Sequence, residues 1–391
     1  MRRYGLKNFN LNNIIRGDFM KLLEIKPQII KFNFLREFTN EFLVNEQDLI
    51  FTNRFLYENF FKDLNMKCSY LFQEDYNLKE PSDDIIDKMI KEIHGKNFKR
   101  IIAVGGGSII DISKILALKE VGSTKDLFEK KVPAIKEKEL IIIPTTCGTG
   151  SEVTNISIAE IKAKQTKIGL AVPELYADYA VLIPELVKNL PYEFFIYSSI
   201  DALIHAMEAL VSSKANSYTD MYSIEAIKMI IRGYKEIIEI GEEHRKEIIE
   251  EFLIASNYAG IAFGNAGVGA VHALSYPLGG KYHVPHGEAN YQFFIEIFKL
   301  YSRKNPAGKI VSLNSLLSDI LGIEKNMNVY AALEEVLSKL IKKKQLRKYG
   351  MKEEEINIFT ESVIETQQRL LNNNYVALSK DEIAHVYRAL Y

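Results

Sequence analysis

Residues 100–119 read RIIAVGGGSIIDISKILALK, an apolar run that is followed by three glycines and then by helical spacing. The apolar run predicts a buried strand, and glycines let the backbone after it approach a phosphate closely. The N–H groups at the start of the next helix, which Ser108 can cap, favour negative charge. We therefore predict an anion-binding turn at Gly105, Gly106 and Gly107. The spacing is neither GxGxxG nor GxxxxGK[ST], so a plain strand-to-helix turn is the alternative.

A second loop of the same kind follows in ELIIIPTTCGTGSEVTN, residues 139–155. Thr145, Thr146 and Thr149 could donate hydrogen bonds to phosphate or ribose oxygens. Two such loops at the ends of two strands fit a ligand that lies across the carboxyl edge of one sheet. Cys147 lies between these hydroxyls with no histidine nearby in sequence, which favours packing over a nucleophilic role.

The apolar runs around these loops alternate with longer amphipathic segments, which predicts an α/β domain with a largely parallel sheet. The predicted strands are DLIFT (48–52), SYLFQ (69–73), RIIAV (100–104), ELIII (139–143), IGLAV (168–172) and YAVL (179–182). Helical periodicity takes over after Pro191. We predict an N-terminal extension at residues 1–19, a Rossmann-like dinucleotide-binding domain at 20–190 and an all-helical, metal-binding catalytic domain at 191–391.

The composition is that of a soluble globular protein with a small-molecule ligand. Of 391 residues, 47% are hydrophobic and 26% charged, and the formal net charge of -1 leaves no basic surface for nucleic acid. Charged or amide residues interrupt each apolar run, so we expect no membrane span. Two cysteines are too few for a disulfide framework, and the expected location is the cytoplasm.

Candidate metal ligands occur in the second half of the chain. Asp201 and His205 are four residues apart in SIDALIHAMEAL, which places both on one helical face. A buried Asp–His hydrogen bond explains that pair equally well. His272, His283 and His286 follow among glycines, prolines and small residues that allow close packing. One carboxylate with two or three imidazoles suits Fe(II) or Zn(II), and residue type does not separate the two metals.

Four signatures resemble those of the iron-containing (group III) alcohol dehydrogenase family. They are GGGSIID (105–111), PTTCGTGSEVT (144–154), DALIHAMEA (201–209) and HALSYPLGGKYHVPHG (272–287). The resemblance runs through both halves of the chain in the family's order. It implies a dehydroquinate synthase-like fold and an alcohol dehydrogenase that uses a nicotinamide cofactor and a divalent metal, with Fe(II) favoured.

The resemblance also implies roles for particular residues. The implied metal ligands are Asp201, His205, His272 and His286. The implied cofactor-binding residues are Gly105, Gly106, Gly107, Ser108, Asp111, Thr145, Thr146, Thr149, Asn155 and Lys167.

Two positions depart from the family pattern. Many members carry a further histidine four residues after the third ligand, where this chain has Tyr276. We therefore expect His283, or secondly Tyr276, to assist proton transfer, with a packed core residue as the alternative for each. At the end of the first predicted strand, Asn53 stands where the family usually has an acidic residue, and Arg54 follows it. The resemblance favours NAD as the cofactor, and the missing carboxylate leaves NADP as an alternative.

The segments NYAGIAFGNAGVGAVHALSYPLGG (257–280) and YGMKEEEI (349–356) resemble most the members that convert 4-hydroxybutyrate reversibly to succinate semialdehyde. Such a substrate has a distal carboxylate, for which Lys281, Tyr282 or His283 is the expected receptor. The alternatives are a dehydrogenase of 1,3-propanediol, butanol or glycerol, a lyase of the same fold, and a non-catalytic cofactor-binding protein. We expect a homo-oligomer, specifically a dimer.

Overall fold

The computed structural model describes residues 21–391 apart from residues 79, 120, 121, 165 and 326. The extension predicted at residues 1–19 lies outside these described residues. The described strands all lie in the first half of the chain. They are β1 (Gln28–Lys31), β2 (Asp48–Thr52), β3 (Ser69–Phe72), β4 (Arg100–Gly105), β5 (Glu139–Pro144), β6 (Ile156–Ile161), β7 (Thr166–Ala171) and β8 (Tyr179–Leu182).

Six of these strands form one parallel sheet in the order β1-β8-β5-β4-β2-β3. The strands β2, β4 and β5 are buried along almost their whole length, as expected for strands covered on both faces. From β2 the chain passes to β3 on one side and then to β4 on the other. Counted from β2, this is the flavodoxin-like doubly wound order, which places a ligand at the switch point between β2 and β4. The predicted α/β fold is confirmed.

The strand predicted as IGLAV corresponds to β7, but it lies outside the parallel sheet. It pairs antiparallel with β6, in a register that runs from Ile156 opposite Ala171 to Ile161 opposite Thr166. The connection between the two strands is four residues long, which suffices for a hairpin and is too short for a parallel crossover. The sequence analysis did not predict β1 or β6. Strand β1 is short and mostly exposed, and β6 is only half-buried, so neither forms a continuous apolar run.

From Tyr192 onward the described residues form helices and their connections. The α-helices of the chain are α1 (Leu35–Glu41), α2 (Arg54–Leu56), α3 (Asp83–Ile93), α4 (Gly107–Leu116), α5 (Thr124–Phe128), α6 (Pro184–Val187), α7 (Tyr192–Val211), α8 (Ser217–Ile240), α9 (Ile249–Ala266), α10 (Ala270–Tyr282), α11 (His286–Lys304), α12 (Ile310–Leu321), α13 (Val329–Leu340), α14 (Glu355–Thr366), α15 (Gln368–Leu371) and α16 (Lys380–Leu390). The predicted helical second half is confirmed.

Short 3-10 and π segments complete the secondary structure. The 3-10 segments are Lys62–Leu64, Gln73–Tyr76, Ser151–Val153, Lys162–Lys164, Pro173–Leu175, Glu242–Lys246 and Leu346–Tyr349, and the π segment is Tyr57–Phe61.

Helix α7 forms the centre of the helical domain, where it packs against α8, α9 and α11. Within the described part of the chain, it is the one helix long and apolar enough to cross a membrane by length and composition. In this fold, 89% of its most apolar window is buried inside the protein. Its apolar residues therefore form the core of the helical domain, and its few polar residues are enclosed there.

Candidate metal and cofactor site

Three helices of the second half each direct ligand-type side chains to one point. Helix α7 carries Asp201 and His205, α10 carries His272, and α11 begins with His286. The first turn of α11 comes close to α7 because Gly287 has no side chain. A Cβ atom there would overlap the carbonyl group of Tyr197 and lie 3.3 Å from Cβ of Asp201. Packing therefore brings together side chains that are up to 85 positions apart in the chain.

The ligand atoms of Asp201, His205, His272 and His286 all lie within 4.8 Å of one another. The Nε2 atoms of His205 and His272 are 3.0 Å apart, and Nε2 of His272 is 3.8 Å from Oδ1 of Asp201. His286 is the most exposed of the four, with 38% of its side chain accessible. Imidazole nitrogens and one carboxylate at these spacings match the donor set of Fe(II) or Zn(II).

The other ring nitrogen of two of these histidines is already bonded to the protein. Nδ1 of His205 donates to the carbonyl oxygen of Gly148 at 3.2 Å, and Nδ1 of His272 donates to Oε2 of Glu208 at 2.6 Å. Each bond places the proton on Nδ1 and leaves Nε2 as a lone-pair donor aimed at the common point. The donor set therefore fits a bound divalent cation.

The carboxylate of Asp201 is oriented by an amide from the next helix. Nδ2 of Asn290 donates to Oδ1 of Asp201 at 2.7 Å and lies 3.1 Å from Nε2 of His286. The hydroxyl of Ser275 in turn donates to Oδ1 of Asn290. Asn290 is fully buried, so this bonding fixes which way its amide points.

Electrostatics keep the ligands in the forms that bind metal. Burial lowers the pKa of His205 to about 4, against the opposing influence of Asp201. Withdrawal from water also lowers the pKa of His286 to about 4, and the positive charge of Lys167 contributes to that shift. Burial acts to raise the pKa of Asp201, but the three histidines and Asn290 outweigh it and hold that pKa below its ordinary value. His205 and His286 are therefore neutral and Asp201 is ionised near neutral pH, which are the forms that bind a metal.

The glycine loop begins where β4 ends, beside the switch point of the sheet. Helix α4 starts at Gly107 with Gly106 as its N-cap residue, so the prediction that Ser108 caps this helix was wrong. The N-cap lies two residues earlier than predicted, and Ser108 is the second residue of the helix. A Cβ atom at Gly105 would overlap the side chain of Ile109, so the turn requires glycine there.

The second loop lies directly against the first. A Cβ atom at Gly107 would be 3.1 Å from Cγ2 of Thr149, and one at Gly106 would be 3.7 Å from Cγ2 of Thr146. Thr145 is buried at the end of β5, where its N–H donates to the carbonyl oxygen of Gly105. The structure therefore brings both predicted loops to one edge of the sheet.

Two hydroxyls at this edge fit a ligand. Among the described residues, the buried Oγ1 atoms of Thr52, the last residue of β2, and of Thr146, in the loop after β5, have no hydrogen-bond partner. A buried hydroxyl without a partner is costly unless a ligand or water satisfies it. Together with the glycine turn, these atoms suit the oxygens of a nucleotide cofactor.

Three of the predicted cofactor residues are bonded within the protein. Asp111 accepts from the hydroxyl of Ser151 at 2.8 Å and from the N–H of Ile158 at 3.0 Å, so it ties the second loop and the hairpin to α4. Lys167 lies on β7 with its ammonium 2.5 Å from Oε2 of Glu80. Asn155 accepts a backbone bond from Val172 through its carbonyl oxygen.

Asn53 and Arg54 follow β2 at the same edge. Oδ1 of Asn53 accepts from the N–H of Leu56 at 2.8 Å and caps the short helix α2. The guanidinium of Arg54 lies 2.5 Å from Oδ1 of Asp75 and over the ring of Phe72. The N–H of Arg54 also donates to Oε1 of Glu74 at 3.0 Å. Carboxylates therefore surround this position although residue 53 carries none.

The two residues expected to assist proton transfer lie differently. Tyr276 is half-buried, with its ring centroid 6.1 Å from that of His286. Burial raises the pKa of Tyr276 to about 12. His283 is exposed at the end of α10, in the left-handed conformation at φ 54°. It is outside the cluster of four ligands found among the described residues.

The residues expected to bind a distal carboxylate are already occupied in part. The ammonium of Lys281 and the hydroxyl of Tyr282 both bind the carboxylate of Glu355. Cys147 is completely buried, and burial raises the pKa of its thiol, in keeping with a packing role.

Sequence reasoning missed three residues that orient the candidate metal ligands. Glu208 lies seven positions after Asp201 in DALIHAMEA, and that spacing places it on the same helical face as Asp201 and His205. Asn290 lies four positions after His286 and shares its face in the same way. Helical spacing could have found both. The carbonyl group of Gly148 comes from a distant loop, and no local pattern indicates it.

Comparison with known protein families covers both halves of the chain. The family described as "Iron-containing alcohol dehydrogenase" matches residues 31–184. The family described as "Fe-containing alcohol dehydrogenase family, C-terminal" matches residues 195–391.

Two curated proteins illustrate the similarity in sequence. The 4-hydroxybutyrate dehydrogenase of Clostridium kluyveri is 59% identical over 372 residues, which cover 95% of this chain and 100% of the relative. The long-chain-alcohol dehydrogenase 1 of Geobacillus thermodenitrificans is 32% identical over 320 residues, which cover 80% of each chain.

Solved structures share the fold at lower identity. A 1,3-propanediol oxidoreductase is similar with a TM-score of 0.80 and 21% identity, over 95% of this chain and 100% of that one. A sulfoacetaldehyde reductase from Bifidobacterium kashiwanohense, solved in complex with NAD+, is similar with a TM-score of 0.81 and 20% identity, over 95% of this chain and 99% of that one.

Proposed function

This chain belongs to the iron-containing alcohol dehydrogenase family, and within it we propose that the protein oxidises 4-hydroxybutyrate reversibly to succinate semialdehyde with NAD. The observation that carries the proposal is 59% identity over 95% of the chain to a 4-hydroxybutyrate dehydrogenase. Family membership confirms the resemblance drawn from the four sequence signatures. The protein is thus an alcohol dehydrogenase whose substrate is a small alcohol.

The residues that would hold the metal are Asp201, His205, His272 and His286. A divalent metal bound there supplies a Lewis acid for the alcohol oxygen, and a bound nicotinamide supplies the hydride acceptor. Glu208 and the carbonyl group of Gly148 keep Nε2 of two histidines unprotonated. Asp201, His205 and His272 are buried away from water, and His286 is the one of the four with a partly exposed side chain.

For the cofactor, the loops at Gly105–Gly107 and Thr145–Thr149 would hold the phosphates and ribose at the switch point of the sheet. We propose NAD as the cofactor that is used. A 2'-phosphate near Asn53 would meet the carboxylates of Glu74 and Asp75, and Asp75 already neutralises Arg54. NADP is therefore the less favourable cofactor.

For proton transfer, we retain Tyr276 and His283 as proposed participants. With its pKa raised to about 12, the phenol of Tyr276 stays protonated near neutrality and can orient an alcohol beside His286. His283, exposed at the end of α10, is placed to exchange protons with solvent. A loss of kcat in His283→Asn that added imidazole restores would support its part, and an unchanged kcat would rule it out.

We further propose that the protein is a cytoplasmic homodimer that binds neither nucleic acid nor membrane. The net charge of -1 supports the absence of nucleic acid. Edge strand β1, whose outer side pairs with no other strand of the described residues and which has an exposed Ile29, offers a surface for a second copy. The molar mass in solution, measured by light scattering, tests the dimer.

The test of function is a substrate panel with the metal-loaded protein. Initial rates of NADH or NADPH formation are measured with 4-hydroxybutyrate, 1,3-propanediol, butanol and glycerol. We expect the highest kcat/KM for 4-hydroxybutyrate with NAD, and a higher value for any other alcohol would contradict the proposal. A lyase would turn over without net NADH, and a non-catalytic binding protein would be inactive with the whole panel.

A further inference from the structure

An arginine that sequence reasoning did not single out, Arg369, lies on the short helix α15. The Nη2 atom of Arg369 would be 3.5 Å from a Cβ atom built on Gly169, which lies on β7. Since α15 belongs to the helical domain and β7 to the hairpin of the nucleotide-binding domain, this guanidinium reaches from one domain to the other. Glycine at position 169 leaves the room for it.

The two elements that Arg369 connects, α15 and β7, both pack against α10, the helix that carries His272 and Tyr276. Burial raises the pKa of Tyr276 to about 12, and the positive charge of Arg369 is the largest electrostatic influence that opposes this rise. The ring of Tyr276 is 6.1 Å from the ring of His286. Tyr276 is therefore close to a metal ligand and is influenced by the charge of Arg369.

Two lysines that could otherwise bind a substrate carboxylate are already neutralised by glutamates. Lys167 is paired with Glu80 at 2.5 Å, and Lys281 with the buried carboxylate of Glu355. In the part of the chain that the structure describes, Arg369 forms no ion pair with a carboxylate. It is exposed, so its charge is available to a ligand.

The position of Arg369 is fixed by the residues that follow it. Leu370 is buried against the helical core. Nδ2 of Asn373 donates to the carbonyl oxygens of Ala266 and Val268, both at 3.0 Å, on the segment that leads into α10. Helix α15 also packs against α10, which carries His272. The guanidinium is therefore held on the same rigid frame as a metal ligand, as recognition of a substrate requires.

We propose that the guanidinium of Arg369 binds the distal carboxylate of the substrate and so selects ω-hydroxycarboxylates over plain alcohols. This inference rests on the proposed function and replaces Lys281, Tyr282 and His283 as the expected receptor. The planar fork of an arginine matches a carboxylate with two parallel N–H bonds.

The test compares 4-hydroxybutyrate with butanol, which has the same chain length and no carboxylate. For the metal-loaded wild type, Arg369→Met, Arg369→Lys and the surface control Arg347→Met, kcat/KM is measured for both substrates with NAD. Arg347 bonds to Gln345 and is exposed. The ratio of kcat/KM for 4-hydroxybutyrate to kcat/KM for butanol reports selection for the carboxylate. General losses of activity cancel in this ratio.

We expect Arg369→Met to lower this ratio about 10- to 100-fold, mainly through KM, because a charge-assisted hydrogen bond is lost. Arg369→Lys should lower it less, and Arg347→Met should not change it. A ratio for Arg369→Met within twofold of the wild type would overturn the inference, as would equal losses for both substrates. A wild type that prefers butanol would instead overturn the proposed function, before any variant is compared.

Discussion

The bond between Glu208 and His272 is predicted to set the affinity of the metal site. Glu208 is buried on α7 and accepts twice, from Nδ1 of His272 at 2.6 Å through Oε2 and from the N–H of Val271 at 2.7 Å through Oε1. Glutamine has a single acceptor oxygen. In Glu208→Gln, either the N–H of Val271 stays unsatisfied or an amide N–H faces Nδ1 of His272.

In the second arrangement, His272 must accept at Nδ1 and carry its proton on Nε2, which then cannot bind metal. In the first, the histidine keeps its tautomer but loses a negatively charged acceptor, and a buried donor is left without a partner. Changes in such supporting residues typically cost 10- to 100-fold in metal affinity. We therefore expect Glu208→Gln to weaken Zn(II) binding by about 1.4–2.8 kcal/mol.

The assay is competition for Zn(II) between the metal-free protein and a chromophoric chelator of known affinity. Thermal unfolding of the metal-free protein is recorded alongside it. The matched control is Glu355→Gln, the same substitution at another buried glutamate of the helical domain, which binds Lys281 and Tyr282. We expect the control to change the unfolding temperature without changing metal affinity. A Zn(II) affinity of Glu208→Gln within twofold of the wild type would refute the reasoning.

Three further predictions follow from the cofactor edge and the metal ligands. The buried Thr146 hydroxyl has no hydrogen-bond partner among the described residues, so Thr146→Val should leave the unfolding temperature of the cofactor-free protein unchanged. The same substitution should weaken NAD binding about 2- to 12-fold in calorimetry. An unchanged affinity for NAD would exclude the hydroxyl from the cofactor site. Burial lowers the pKa of His205 to about 4 from an unfolded value near 6.5, so the unfolded state binds more protons and the metal-free protein should lose stability as the pH falls from about 6.5 towards 4. Denaturant unfolding should show a weaker pH dependence in His205→Asn, and an equal one would contradict this assignment. Finally, Asp75→Asn leaves the charge of Arg54 uncompensated and should raise kcat/KM with NADP relative to NAD, whereas an unchanged ratio would rule out the proposed role of Asp75.

Much of the fold was predictable because its strands are apolar along their whole length. Runs such as RIIAV and ELIII are buried on both faces of the sheet. A strand buried on both faces has apolar residues at consecutive positions, which the sequence shows directly. The hairpin strand β7 looked the same in sequence, but its partner is antiparallel and local. Apolarity predicts burial, whereas the pairing direction depends on the length of the connection.

In the site, the sequence indicated residue types and helical faces. The spacing of Asp201 and His205 predicts that their side chains lie on one helical face, and the glycine loop predicts an anion site. These two predictions succeed from sequence because each depends only on local backbone geometry. Sequence alone left both His283 and His286 as candidate ligands. The structure separates them: His286 opens α11 beside α7, and His283 ends α10 in a left-handed, exposed conformation.

By itself, then, the sequence determined the two turns that we predict bind phosphate, the helical face shared by Asp201 and His205 and, through its signatures, the family. Only the tertiary structure decided that Glu208 accepts a hydrogen bond from His272, that Glu355 pairs with Lys281, and that Arg369 reaches the hairpin beside Gly169. The physical reason is range. Backbone periodicity places neighbouring residues on a face or in a turn, but contacts between residues 64 to 200 positions apart exist only once helices and strands have packed.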